Sequence, residues 1–491
     1  MSPKVIVIGL DSADSNLVRQ WCDSGDLPFL RAIRDRGISG VLTTPPGLGD
    51  DAVWASFYTG VSPGRHGRYH HRQLPPRSYK VDNFRNVRRR PFWDQLSRAG
   101  RRVGVLDVPK CPLMPELNGF QVNDWLVHGR DFATNSFPRD VGRDLVQRFG
   151  DDRTDREPEY LCLMEQLSQA QQQIFVERLL ESCAKKTSAA LEFLASAAWD
   201  LFLVVFKEAH CVAHQLWHLR DQNDRSSRVE GLDHRSNPVK RVYQALDVAI
   251  GKLLSTVDTE TNVIVFSDLS MASNVTGEHL LDEILLRLDN SLGSRALRLL
   301  QNGSQHFRSG WSERAKALVK RKLYPYRSAF QVEHNEMSGA IRCNVRGREP
   351  HGQIARGQEL QDFMAGLSED LLDVINPDSG QRIVAQVVRT DEVFAGEHRD
   401  FLPDLFVIWN RTCPITAAAS SKIGVVRIPA PDWRPGNHAP DGFFFAYGPS
   451  MSTQNDSEAA SIMDLAPTIC RLLGVTLPDI EGQCVAALCG E

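Results

Sequence analysis

The chain of 491 residues carries 57 Lys and Arg against 61 Asp and Glu, a formal net charge of −4, with 42% hydrophobic and 24% charged residues. That make-up belongs to a globular protein and excludes a disordered, fibrous or collagen-like chain. The balanced charge gives no long-range pull on a polyanion, so duplex nucleic acid is not an expected partner; the one compact basic run, Arg85, Arg88, Arg89 and Arg90, reads as a solvated loop or an anion-facing rim.

Ten scattered cysteines without a C-x-x-C pair argue against a zinc ribbon, an iron–sulfur cluster or a disulfide framework. The N-terminus passes directly into an apolar strand, with no signal-peptide pattern, and no run approaches the ~18–20 apolar residues that span a bilayer. The cytoplasm is the expected compartment, with no membrane partner; a homo-oligomer is left open.

In chain order, residues 5–9 predict a buried parallel strand that leads to Asp11, and residues 15–37 read as helical. Residues 54–60 open another helix and 102–108 form a second buried strand. Residues 111–195 look mainly helical and charged. The runs 201–206 (L-F-L-V-V-F) and 262–267 (N-V-I-V-F-S) are two further strands, each followed at once by ligand-capable groups. Residues 276–399 read as a cap with few strand signals, polar and irregular over 302–328. Strands return at 404–409 and 442–446, and a helix closes the pattern at 462–473. Strands alternating with helices predict an α/β/α sandwich around a mostly parallel sheet, assembled from 1–110, 196–275 and 400–491, with a helical insertion at 111–195 and a cap at 276–399. Functional groups in such sheets gather at the carboxyl ends of the strands. Asp11, His210, His214 and Asp268 all fall there, and His438 joins them from a distant loop.

The segments V-I-V-I-G-L-D-S-A-D (5–14), W-A-S-F-Y-T-G-V-S-P-G-R-H-G (54–67), E-A-H-C-V-A-H (208–214), S-D-L-S-M (267–271) and G-N-H-A-P-D-G (436–442) resemble the alkaline phosphatase superfamily, in its type I phosphodiesterase/nucleotide pyrophosphatase branch. The resemblance continues through P-F-W-D-Q-L-S-R-A-G-R-R-V-G-V-L-D-V-P (91–109), N-V-R-G-R-E-P-H-G (344–352), P-D-L-F-V (403–407) and M-D-L-A-P-T-I-C-R-L-L-G (463–474). It implies a dinuclear site, usually zinc, with a Thr or Ser nucleophile between the metals. Carried over residue by residue, one metal falls on His210, His214 and His438, and the other on Asp11 and Asp268.

Three departures fall on the chemistry. His210 stands where the family has a metal-binding Asp, Leu269 where it has a His, and Asp50 at the nucleophile position ten residues before Gly60. Decay of the site is one reading. Remodelling is the other, with Zn²⁺ on three histidines, and with Asp11, Asp50 and Asp268 forming an all-oxygen site for a second divalent metal, Zn²⁺, Mn²⁺, Mg²⁺ or Fe. Remodelling is adopted here, because two of the three replacements still offer ligand atoms.

A carboxylate at position 50 is a weak nucleophile when ligated. Metal-bound hydroxide is then the expected attacker, with Asp50 as ligand or general base, on a small phosphorylated or anionic substrate. A metalloenzyme of another reaction class and a non-catalytic anion-binding protein are the alternatives. Asp51 is a second choice for the functional carboxylate. His218 continues the His210–His214 row, His66 reads as a turn residue, Lys207 as a neighbour for an anion, and Thr43 and Thr44 as displaced hydroxyls.

Overall fold

The computed structural model describes residues 3–83, 87–127, 133–150, 167–220, 237–303, 318, 321–335, 337–430, 434–451 and 458–490. Arg85 and most of the stretch 302–328 therefore lie outside the described residues.

The strand Val5–Leu10 is buried along its whole length. Its alternate side chains feed two separate apolar layers, Ile6, Ile8 and Leu10 on one face and Val5 and Val7 on the other, as the two-residue period of a strand requires. The next strand over repeats the pattern, with Phe202, Val204 and Phe206 on the first face and Leu201, Leu203 and Val205 on the second. Helices Gln169–Ser196, Glu208–Leu216 and Pro238–Leu254 cover the first face. Asp50–Thr59, Phe92–Arg98 and Leu465–Leu472 cover the second. The result is the expected α/β/α sandwich.

Nine described strands make the central sheet, in the order Glu458–Ser461, Ile38–Thr43, Gly442–Tyr447, Asn262–Ser267, Val5–Leu10, Leu201–Phe206, Val103–Leu106, Gly119–Asn123 and Asn135–Phe137. Its middle is parallel, while Gly442–Tyr447 and Asn135–Phe137 run antiparallel to their neighbours.

Local readings need correction in several places. Residues 15–37 are two helices, Ser15–Asp23 and Pro28–Arg36, because Gly25 takes a left-handed turn (φ 81°) and Pro28 starts the second. The helix expected from residue 54 begins at Asp50, behind the N-cap Gly49. Residues 111–195 contain helices, and they also give the sheet Gly119–Asn123 and Asn135–Phe137, strands too short to announce themselves by periodicity. Residues 276–399 are not poor in strands: Ala329–Val332, Ser338–Cys343 and Val384–Arg389 join Leu405–Trp409 in a separate antiparallel sheet, so the strand read at 404–409 lies outside the central one. Cys484 and Cys489 form a local disulfide, and the other described cysteines are free thiols. No described helix is long and apolar enough to cross a membrane.

The second sheet bears on the site through one backbone carbonyl. His334 Nε2 and Ser338 Oγ both donate to the Gly47 oxygen, at 2.7 and 2.6 Å, and so fix the loop that delivers Asp50. On the far side of the sheet, the buried Lys186 donates to the Leu126 and Val205 carbonyls at 2.9 and 2.6 Å and pairs with buried Asp107 at 3.0 Å. It thereby ties down the end of Leu201–Phe206 just before the helix Glu208–Leu216. Replacing Lys186 by Met strands a buried carboxylate, and should cost ~3–5 kcal/mol of unfolding free energy. Removing the exposed partner in Arg31–Asp35 should cost no more than ~1 kcal/mol. Urea denaturation of the two variants checks the contrast.

Candidate metal centre and active site

Leu201–Phe206 runs into the helix Glu208–Leu216, and the four-residue spacing sets His210 and His214 on one face of it. His438 arrives on the strand Gly436–Ala439, which pairs with Ser270–Ser273 and puts His438 opposite Met271. The three rings meet with centroids 4.5, 4.9 and 4.8 Å apart. All three residues are buried, and their ligand atoms lie within 4.8 Å of one another. His214 Nδ1 donates to the Gly436 carbonyl at 2.9 Å; a carbonyl can only accept, so Nδ1 holds the proton and Nε2 is the basic nitrogen. That approach needs glycine, since a Cβ at position 436 would stand 2.1 Å from the Ala213 carbonyl oxygen.

The carboxylates converge from three elements. The Asp11 backbone N–H donates to the Phe206 carbonyl at 2.8 Å, which carries the strand pairing one residue beyond Leu10. Its side chain accepts from Trp54 Nε1 at 3.2 Å. Trp54 reaches it over Gly9, where a Cβ would come within 3.2 Å of the indole. Asp268 Oδ1 accepts from the Ser12 backbone N–H at 2.8 Å, whereas its buried Oδ2 has no hydrogen-bond partner among the described residues.

Half-buried Asp50 lies close enough for its charge to act on both. Burial pushes the Asp11 carboxyl well above the usual carboxylate range, and the charges of Asp268 and Asp50 push it further, against Trp54 and Lys110. Burial likewise pushes Asp268 up to about 7, with Ser12 lowering it and Asp50 raising it. Asp51, by contrast, is taken up by an ion pair with Arg68 and by the His71 backbone N–H. Of the two, Asp50 is the one whose charge acts on Asp11 and Asp268.

The residues fit the metals that the resemblance implies. Three buried imidazoles whose ligand atoms lie within 4.8 Å of one another suit zinc, and three carboxylates, one with a buried oxygen that has no hydrogen-bond partner among the described residues, suit a harder divalent ion. A cation among them converts mutual repulsion into shared coordination. Leu269, at the family's histidine position, is fully buried in the apolar cluster that includes Phe266 and Phe444, and it offers nothing to the site.

The lesser candidates separate cleanly. His66 is a turn residue: its Nδ1 accepts from the Arg68 N–H at 3.1 Å, which leaves Nε2 to donate to Ser56 Oγ at 3.1 Å. The helix ends at Leu216 and a 3-10 turn carries His218 out of the His210–His214 row. Lys207 is buried with Nζ toward the Val127 carbonyl, and Thr43 Oγ1 donates to the Ala460 carbonyl. Arg88 covers the Phe401 ring, Arg89 pairs with Asp479 and Arg90 with Asp94. The sequence reading missed Lys110, whose charge acts on Asp11 and Asp51, and the pair His70 and His71, whose ligand atoms gather with those of Asp51. Adjacent histidines directly after the G-R-H-G-R-Y turn were the available signal.

A family model described as type I phosphodiesterase / nucleotide pyrophosphatase matches residues 5–441. Among solved structures the chain is similar to murine ectonucleotide pyrophosphatase/phosphodiesterase 5, at 14% identity and a TM-score of 0.52 over 98% of this chain and 97% of that one. An inactive variant of that protein in complex with AMP matches with the same values. Phosphonoacetate hydrolase from Sinorhizobium meliloti, in complex with phosphonoformate, matches at 12% identity and a TM-score of 0.55 over 96% of each chain. At such identities the likeness speaks for the fold. No curated protein matches in sequence.

Two outcomes follow from the geometry. His214→Ala should lower the metal content of the purified protein and leave its circular dichroism unchanged, because the large core does not depend on the site; unchanged metal stoichiometry would refute the ligand assignment. Asp268 ionises near 3.8 when unfolded and near 7 in the fold. The unfolded chain therefore releases this proton first, and the metal-free protein should lose stability as the pH rises through that window. Thermal melts with and without added Zn²⁺ check this, the metal flattening the slope.

Proposed function

The chain belongs to the type I phosphodiesterase/nucleotide pyrophosphatase family, and on that premise we propose that it is a metal-dependent hydrolase of small phosphodiesters or related phosphoryl esters whose nucleophile is water rather than a side-chain hydroxyl. One observation carries this: the group at the family's nucleophile position is a carboxylate, Asp50, close enough for its charge to act on Asp11 and Asp268, and the same sheet edge supplies three clustered histidines. The substrate class is supported by the phosphoryl ligands of similar structures, AMP in one and phosphonoformate in another.

His210, His214 and His438 would hold one metal, and Asp11, Asp50 and Asp268 the other. Bound there, divalent ions acidify water and neutralise charge that builds on phosphoryl oxygens. The chain's own groups do the rest. Trp54 and Ser12 hold Asp11 and Asp268 in fixed directions, so little reorganisation is left for the reaction. Asp50 sits on the first turn of a rigid helix, half-open to solvent, where it accepts the proton of the attacking water. Lys110 offsets the negative charge of the pocket as an anionic ester enters.

The test is hydrolysis of bis(4-nitrophenyl) phosphate by protein stripped of metal and reloaded with Zn²⁺ or Mn²⁺. Asp50→Asn should lower kcat by ~10²–10⁴-fold, the range of a general base, and acid quenching during turnover should trap no phosphorylated protein. A phosphoserine or phosphothreonine intermediate, or full activity in Asp50→Asn, would overturn the proposal.

A further inference from the structure

Beyond the short helix Pro63–His66 the chain doubles back onto the start of Asp50–Thr59, and Arg68 and His71 both close on Asp51. One Asp51 oxygen is taken by the Arg68 guanidinium. The other accepts from the His71 backbone N–H at 3.1 Å and faces ring Nδ1 at 3.3 Å. A carboxylate paired with a buried guanidinium stays ionised and can only accept, so Nδ1 of His71 bears a proton and Nε2 is left to exchange one.

Exposure divides the pair. The Asp51 side chain is 4% exposed and that of His71 36%, so one edge of the imidazole is fixed inside while the other is open to a ligand. The His70 ring packs 4.2 Å from that of His71, and Asp51, which His71 meets, stands next to Asp50 on the first turn of Asp50–Thr59, so the imidazole pair lies close to Asp50.

We propose that Asp51 and His71 form a proton-transfer dyad, with His71 the catalytic acid that protonates the leaving group and Asp51 the positioning residue. The proposal rests on the hydrolytic reading above. As the water oxygen bonds to phosphorus, the bond from phosphorus to the departing alcohol oxygen breaks, and its electron pair stays on that oxygen. His71 acts from its imidazolium form, with a proton on each nitrogen: the Nε2 proton moves to that oxygen, and the neutral Nδ1–H imidazole left behind recovers a proton from solvent. Asp51 holds Nδ1–H throughout and stabilises the imidazolium form.

A metal on Asp51, His70 and His71 is the competing use, since their ligand atoms lie within 4.8 Å of one another. Both oxygens of Asp51 are already engaged, however, and a divalent ion would sit beside the buried positive charge of Arg68. The dyad uses the same bonds without that repulsion.

Two measurements on the full-length protein decide the matter. Imidazole nitrogen NMR, with His71 assigned through His71→Gln, should show Nδ1 protonated, and Asp51→Asn should move the proton to Nε2. An Nε2–H tautomer in the unaltered protein, or one insensitive to Asp51→Asn, overturns the dyad even if no ester is turned over, the case in which the hydrolytic reading fails on its own.

The second compares methyl benzyl phosphate, whose alkoxide needs a proton to depart, with methyl 4-nitrophenyl phosphate, whose phenolate needs little. His71 is half-exposed in a loop, so His71→Gln should fold. It should lower kcat on the benzyl ester by ~10²–10³-fold, a loss at least about tenfold greater than on the nitrophenyl ester, with KM moving less. Equal losses on both esters would make His71 a charge stabiliser, and loss of a metal equivalent would make it a ligand; either result refutes the proposal.

Discussion

The register of three parallel strands controls everything at the functional edge. Val5–Leu10 pairs with Leu201–Phe206 and with Asn262–Ser267 so that Leu10 lies opposite Phe206 and Gly9 opposite Phe266. Parallel strands in this register finish together, so Asp11, the turn into His210, and Asp268 emerge side by side. A slip of one residue would exchange every inward and outward side chain. Both faces here are apolar, so hydrophobic patterning alone tolerates that exchange better than in a half-exposed sheet. The bonds just past the strand ends remove the ambiguity, with the Asp11 amide on Phe206 and the Ser12 amide on Asp268. The site thus helps to specify the sheet that presents it.

Crowding carboxyl groups at a buried edge is costly, and the surroundings show how the fold sustains it. Asp11 is raised by burial and by the charges of Asp268 and Asp50, and Asp268 by burial and the charge of Asp50, yet each accepts a hydrogen bond from a fixed donor, Trp54 Nε1 or the Ser12 amide. Asp50 is delivered by a loop clamped from another sheet, through His334 and Ser338 on Gly47. Apolar contacts second the clamp, since Leu48 and Ala52 share a cluster with Phe330 and Phe406. Such an arrangement persists when a large core over-determines the backbone around it.

What was legible in the sequence follows from which interactions are local. Long apolar strands such as Val5–Leu10 and the His-x-x-x-His spacing on one helix report their own structure, and the family's motifs supplied the distant His438. Asn135–Phe137 is three residues long and carries no period to read. Ser338–Cys343 pairs with Leu405–Trp409 some sixty residues on, a pairing that no window of sequence contains, and Ala329–Val332 reaches that sheet only through Ser338–Cys343. The loop pair His70–His71 was passed over because its meaning lies in contact with Asp51 twenty residues earlier. Leu269 was legible as a missing ligand, and only packing shows that it had joined the core.

That packing bears on whether the site is altered or merely worn. A position freed from ligation drifts toward whatever its surroundings favour, and Leu269, sealed among apolar neighbours, fits that description. His210 and Asp50 do not. A third imidazole buried within 5 Å of two others gains nothing from apolar burial, and a carboxylate whose charge acts on two buried carboxyls raises their energy whenever they ionise. Apolar residues of similar size would relieve both positions, as buried charges replaced by hydrophobic groups often do. Side chains that cost the fold stability and share one chemical property, the capacity to bind a cation, are better explained by retained chemistry than by drift. Under the function proposed above, the loss at Leu269 and the gain at Asp50 read as one change, with a carboxylate standing in for the family's imidazole.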